Sequence, residues 1–267
     1  MEKVKEILEE LEVKYNIKII YAVEAGSRAW NLESEDSDFD IRFIFRHNDP
    51  KKYVSLQQLK ETIDGFSEDR LYDWQGWDIK KALKHVRDMN PSMTEWLVSP
   101  IVYYSDEKIN FREKALSLLK AQNRILPLVY HYISMAKANY KQHIENKQLV
   151  NIKKYLHVIR PAGMVEWLRT YKRSKSNLVE IDFLKVLNEI KDILDKECYE
   201  DILKVIEKKK LHESTEEPRL KSIDSWIENV LQLKISKQEL NDLDYEKNGL
   251  NSLNFYDEFL FEILNIK

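Results

Sequence analysis

The uneven distribution of strand signals constrains this fold more than any other feature. Three segments before Asp78 read as strands, and from about Phe111 onward such signals nearly vanish. The stretch IKIIYAVE, residues 17–24, crowds aliphatic and aromatic side chains together, as a buried strand does. Residues 38–45 (DFDIRFIF) alternate, with Phe39, Ile41, Phe43 and Phe45 on one face and Asp38, Asp40 and Arg42 on the other. Residues 70–77 (RLYDWQGW) give the third strand. Helical spacing surrounds them. Val4, Ile7, Leu8 and Leu11 form an apolar stripe, and Asp78 stands at the N-cap position of a helix over 79–89 that Asn90-Pro91 ends. Ser92 and Glu95 have capping-box spacing, and residues 56–63 are expected as a short helix. Beyond Phe111, helical periodicities cover 111–121, 126–146, 148–172, 182–192, 198–209, 220–233 and 252–265. The expectation is an α+β chain: an α/β domain with a short mixed sheet over 1–105, then an all-helical domain over 106–267.

Composition excludes several function classes. Five glycines and six prolines in 267 residues leave no room for fibrous or low-complexity architecture. A formal net charge of −3 is not the globally basic signature of a dedicated nucleic-acid binder, although a local basic groove is compatible with it. The single cysteine, Cys198, rules out an intrachain disulfide and fits a reducing compartment. The N-terminal stretch MEKVKEILEELEVKY is charged and amphipathic rather than signal-like, and no apolar run is of membrane-spanning length. A cytoplasmic protein without membrane association is expected.

The chemistry concentrates in one short stretch. Gly26-Ser27 follows the first strand, ten residues intervene, and Asp38-Phe39-Asp40 opens the second. Carboxylates two apart on a strand project from the same face, and such neighbouring like charges are costly without a compensating cation. Hard oxygen donors suit Mg²⁺ or Mn²⁺ held jointly with substrate phosphates. A glycine turn lets the backbone approach a phosphate, to which free N–H groups, the Ser27 hydroxyl and Arg28 can bond. A D-x-D alone is commonly a solvated edge. Here it opens a strand whose other face is apolar, just after a strand–Gly-Ser turn. The chain has no GxxxxGK[ST], HExxH, Gly-rich kinase loop or HRD motif, which argues against P-loop, zinc-hydrolase and kinase chemistry.

Residues 23–44, VEAGSRAWNLESEDSDFDIRFI, resemble the hG[GS]…Dh[DE]h signature of DNA polymerase β-like nucleotidyltransferases, and most closely the RNA repair pathway DNA polymerase beta family. Residues 73–104 resemble that family's second block and 131–168 its helical block, so the resemblance covers roughly 20–168. It implies a nucleotidyltransferase core binding an NTP such as ATP, with Mg²⁺ (or Mn²⁺) on Asp38, Asp40 and a third carboxylate that also serves as general base. Asp73, in a strand-like run, fits that third position. Asp78 is the rival, and a helix N-cap also explains it. The helical domain is expected to close the nucleotide cleft, with Lys153 or Lys154 and Arg160 on the triphosphate; a solvated basic stripe is the plainer account of the lysines. Helix packing explains Tyr132, Tyr140 and the tryptophans 74, 77, 96 and 167 more simply than ligand contact. The implied acceptor is an RNA end, such as that of a tRNA, served by a local basic track of Lys137, Lys141, Lys147, Lys153, Lys154, Lys172, Arg173 and Lys175. A small-molecule or protein hydroxyl, or a non-catalytic nucleotide-binding module, stays open. Oligomeric state is not legible.

Overall fold

The structure, a computed structural model, describes residues 1–56, 58–122, 125–170, 179–211, 215–235 and 253–266. The fold is α+β. Two compact units divide the chain. One comprises Met1–Ala29, Asp38–Gln122 and Glu246–Lys267, and the other Trp30–Ser37 and Asn123–Tyr245.

The first unit is built on a five-stranded mixed sheet. Its strands are β1 (Ile17–Glu24), β2 (Phe39–His47), β3 (Thr62–Phe66), β4 (Tyr72–Asp78) and β5 (Val102–Ser105), in the order β3-β4-β2-β1-β5. β1 pairs antiparallel with β2, and β2 runs parallel to β4. The alternation in β2 works as its pattern demands: Ile41, Phe43 and Phe45 are fully buried. They pack with Val4, Ile7, Leu8 and Leu11, the apolar stripe of α1 (Glu2–Tyr15). Each such side chain contributes on the order of 1.5–3 kcal/mol by leaving water. Further helices are α3 (Ile79–Arg87), α4 (Pro91–Val98), α5 (Phe111–Gln122) and α11 (Leu253–Leu264). Tyr21 of β1 donates to the Trp96 carbonyl at 3.1 Å, and Phe111 stacks on Phe259.

Two local expectations fail for identifiable reasons. Among the described residues of 56–63 there is no helix. Leu56, the apolar residue that suggested one, is fully exposed, and the turn forms earlier as a 3-10 helix over Pro50–Val54, capped by Asp49. Ile63 instead lies buried in the edge strand β3. The Ser92–Glu95 capping box is also not used. Asn90 is the N-cap of α4 and accepts from the Met93 amide at 3.1 Å, because Pro91 at the first helical position fixes the cap one residue before it.

The second unit centres on α7 (Ile152–Thr170), buried on nearly every side from Ile152 to Leu168. α6 (Leu126–His143), α8 (Phe183–Glu189), α9 (Lys196–Leu211) and α10 (Lys221–Leu231) accompany it. A short antiparallel pair of β6 (Leu149–Asn151) and β7 (Glu216–Pro218), not foreseen from the helical periodicity, completes it. The segment 30–37 belongs here. Trp30 lies under the Arg160 guanidinium at 3.9 Å, and the buried Lys209 ammonium donates to Ser37 Oγ at 3.0 Å. Among the described residues no helix is long and apolar enough to cross a membrane.

Gly76 lies in β4 directly against the Phe43 ring, where a Cβ would overlap the aromatic carbons. Gly76→Val is therefore expected to cost about 1–3 kcal/mol by overpacking, read as a lower urea midpoint at unchanged slope.

Candidate functional site

Strand direction gathers the functional residues of the first unit. β2 and β4 are parallel, so their first residues share one edge of the sheet. β1 is antiparallel to β2, so its last residue, Glu24, reaches the same edge. Asp40 stands directly opposite Asp73 in the register, with both side chains on one face. Asp38 immediately precedes β2, and Gly26 opens α2 (Gly26–Ala29) one residue beyond the β1 end.

The turn is fitted to the acid. Gly26 has φ +61°, a left-handed conformation suited to glycine, and a Cβ there would overlap the Asp40 carboxylate. The Ala25 amide donates to the Asp40 carbonyl at 2.9 Å. From the other side, Glu24 Oε1 accepts from the Asp40 amide at 2.7 Å, and the Tyr103 hydroxyl donates to Glu24 Oε2. Glu24 is wholly buried, and that burial pushes its carboxyl up to about 7 although both hydrogen bonds favour the charged form. Arg28 braces the start of β2: its Nε donates to the Asp38 carbonyl at 3.2 Å, and its guanidinium lies 3.9 Å over the Phe39 ring, which stacks on Tyr72. Ser27 is partly buried on the same short helix.

Arg42 links the facing carboxylates. One guanidinium nitrogen donates to Asp40 Oδ1 at 2.7 Å and the other to Asp73 Oδ1 at 2.6 Å. Among the described residues no three His, Cys, Asp or Glu side chains gather into a group able to hold a metal ion. Asp40 and Asp73 are drawn onto Arg42, while Asp38 lies ahead of the strand. The donor chemistry still fits a magnesium-like ion, which usually takes one or two carboxylates and completes its shell with water and substrate phosphates.

Asp78 is placed otherwise. It pairs with Phe45 at the far end of β4, is fully buried, caps α3 by accepting from the Lys80 amide at 2.9 Å, and accepts from the Tyr53 hydroxyl at 2.6 Å. Capping and burial account for it completely. The sequence had not singled out Glu24, Tyr103 or the bridging role of Arg42. An acid closing an apolar strand just before Ala-Gly-Ser, and an arginine two positions after Asp40 on the same strand face, were the available signals.

In the second unit α7 carries His157 among its basic residues. Burial, then Lys154 and Lys153, with lesser contributions from His143 and Arg160, push His157 down to about 4. Lys153 and Lys154 are partly buried, and Arg160 is buried. Lys137, Lys141 and Lys147 are exposed, and Lys172, Arg173 and Lys175 lie outside the described residues. Tyr132 is core, and Tyr140 bonds Glu228 of α10 at 3.0 Å, so both serve helix packing. Trp77 stacks on Trp96 and Trp167 donates to Glu189, which likewise makes them packing residues.

Comparison with known proteins identifies the family. The RNA repair pathway DNA polymerase beta family (RlaP) matches residues 1–257. The uncharacterized protein YcgL of Bacillus subtilis (strain 168) is 35% identical over 251 residues, which is 91% of this chain and 92% of that protein.

Two expected outcomes test how these acids and His157 contribute to stability. Asp78→Ala removes a cap and takes away the acceptor of the Tyr53 hydroxyl proton, so it should destabilise by about 1–3 kcal/mol. Asp73→Ala gives up one Arg42 ion pair at a side chain 45% exposed but relieves repulsion from Asp40, so it should cost less, about 0–1 kcal/mol; parallel urea titrations compare them. For His157, the folded pKa lies below the ordinary value, so the unfolded state binds the proton first. Its contribution is complete above pH 6.5 and is lost as pH falls toward about 4. His157→Gln should therefore remove about 1–2 kcal/mol of the stability change between pH 7 and pH 5, measured by chemical denaturation at both values.

Proposed function

The chain belongs to the RNA repair pathway DNA polymerase beta family, and from that premise we propose that it is a metal-dependent nucleotidyltransferase that moves an NMP from an NTP to an acceptor hydroxyl. The observation that carries this reading is the facing pair Asp40–Asp73 at the sheet edge, with the Gly26 turn packed on the Asp40 carboxylate.

Asp40, Asp73 and the neighbouring Asp38 are the residues that would hold Mg²⁺ or Mn²⁺. When bound, such an ion shares its charge with the triphosphate oxygens and eases departure of pyrophosphate. Ser27 and the backbone of the Gly26 turn offer hydrogen-bond donors for the β and γ phosphates, and Arg28 adds positive charge at the start of β2. The acceptor oxygen forms a bond to the α-phosphorus as the bond to the β-phosphate oxygen breaks. The acceptor proton passes to a carboxylate within reach, and Asp73, the more exposed of the facing pair, is assigned that role. Glu24 and Tyr103 position Asp40 through its backbone amide.

The acceptor is proposed to be an RNA end. The family's RNA repair association and the exposed Lys137, Lys141 and Lys147 support this choice.

Purified protein incubated with α-labelled NTPs, Mg²⁺ and total RNA should label the RNA pool. Asp38→Ala and Asp40→Ala should each reduce incorporation by at least a thousandfold while the far-UV circular dichroism stays unchanged. Label appearing in protein or a small molecule, with RNA unlabelled, would replace the acceptor; full-rate transfer by the double variant would remove the site.

A further inference from the structure

The Arg42 bridge stands where a cation between the two acids would stand. It spans Asp40 and Asp73, taking one oxygen from each, and also donates to the Ile41 carbonyl at 3.1 Å. The guanidinium is largely enclosed, with 17% of its side chain exposed. In such surroundings charge-assisted bonds are strong and poorly screened. We propose that Arg42 is a built-in counter-ion that competes with divalent metal for Asp40 and Asp73, so that the free protein binds metal weakly. This rests on the reading of the pair as metal ligands.

The competition follows from geometry and charge. A magnesium-like ion needs oxygen at about 2.0–2.1 Å in near-octahedral array. Nitrogen at 2.6–2.7 Å from the two Oδ1 atoms lies in the space such an ion would enter between the carboxylates. Two cations confined there also repel one another. Metal entry therefore requires Arg42 to withdraw from at least one acid, and by linkage whatever draws Arg42 away tightens metal binding. A triphosphate is the ligand of the right chemistry: arginine pairs with phosphate as it does with carboxylate. Metal loading is thereby tied to the arrival of nucleotide.

A scaffold role predicts the opposite sign. If Arg42 served only to hold two repelling acids in place, its removal would let them separate and weaken metal binding.

The test is Mn²⁺ titration followed by electron paramagnetic resonance of the free ion, on wild type, Arg42→Gln, Arg42→Lys and Asp40→Asn, each with and without ATP. Circular dichroism and urea midpoints check that each variant is folded. Without ATP, Arg42→Gln is expected to bind Mn²⁺ at least tenfold more tightly than wild type. Arg42→Lys, which keeps the charge but lacks the fork that reaches both acids, should fall between them. ATP should tighten Mn²⁺ binding strongly in wild type and much less in Arg42→Gln, after subtraction of Mn²⁺ held by free ATP. Equal or weaker binding by folded Arg42→Gln overturns the counter-ion role while leaving the metal site in place. If Mn²⁺ binding is absent from wild type and Arg42→Gln alike, or is unaffected by Asp40→Asn, the reading of the acid pair falls and the counter-ion role with it.

Discussion

Parallel pairing of β2 with β4 is the constraint on which the candidate site depends. It places Asp40 beside Asp73 at the spacing of hydrogen-bonded strands, roughly 4.8 Å. Like charges held that close on one face need a cation, and in this structure the cation is Arg42. The same pairing sends Asp78 to the opposite end of β4, where it caps a helix and meets Tyr53. Direction of a single strand pair thus divides three acids between the candidate site and scaffolding.

The local backbone is organised around the same edge. β1 closes with the buried Glu24, which receives the Asp40 amide, while the following turn takes a left-handed glycine so that the chain passes over the Asp40 carboxylate. A side chain at position 26 would displace that acid, and loss of Glu24 would leave the Asp40 amide without this carboxylate acceptor. Asp40 is fixed through backbone and neighbours rather than through its own rotamer alone, the kind of support that positioned electrostatics requires.

Much of this was legible in the sequence because the determining signals are local. Alternation in residues 38–45 gave the buried Ile41, Phe43 and Phe45, and the helical periodicities beyond Phe111 recovered α5 to α11 closely. Asp78 could be read as a cap from its place before an amphipathic run. What escaped depends on pairing partners far away in the chain. β3 and β5 are short, carry little alternation, and exist because β4 and β1 offer them edges. Leu56 imitated a helical apolar position yet faces solvent. Arg42 was visible on the acidic face of β2, but its bond to Asp73 follows from the β2–β4 register, which local spacing does not encode. Buried Lys209, joined to Ser34 and Ser37, is another contact across long sequence separation that no motif announces.

The account's central claim is that Asp40 and Asp73 together hold a divalent ion beside nucleotide. A crystal of the protein grown with Mn²⁺ and a non-hydrolysable NTP analogue, with data collected at the manganese absorption edge, addresses it directly. The account predicts an anomalous peak within bonding distance of Asp40 and of a phosphate oxygen, next to Asp73 and the Gly26 turn. Nucleotide bound with manganese elsewhere, and Arg42 still bridging both carboxylates, would contradict it.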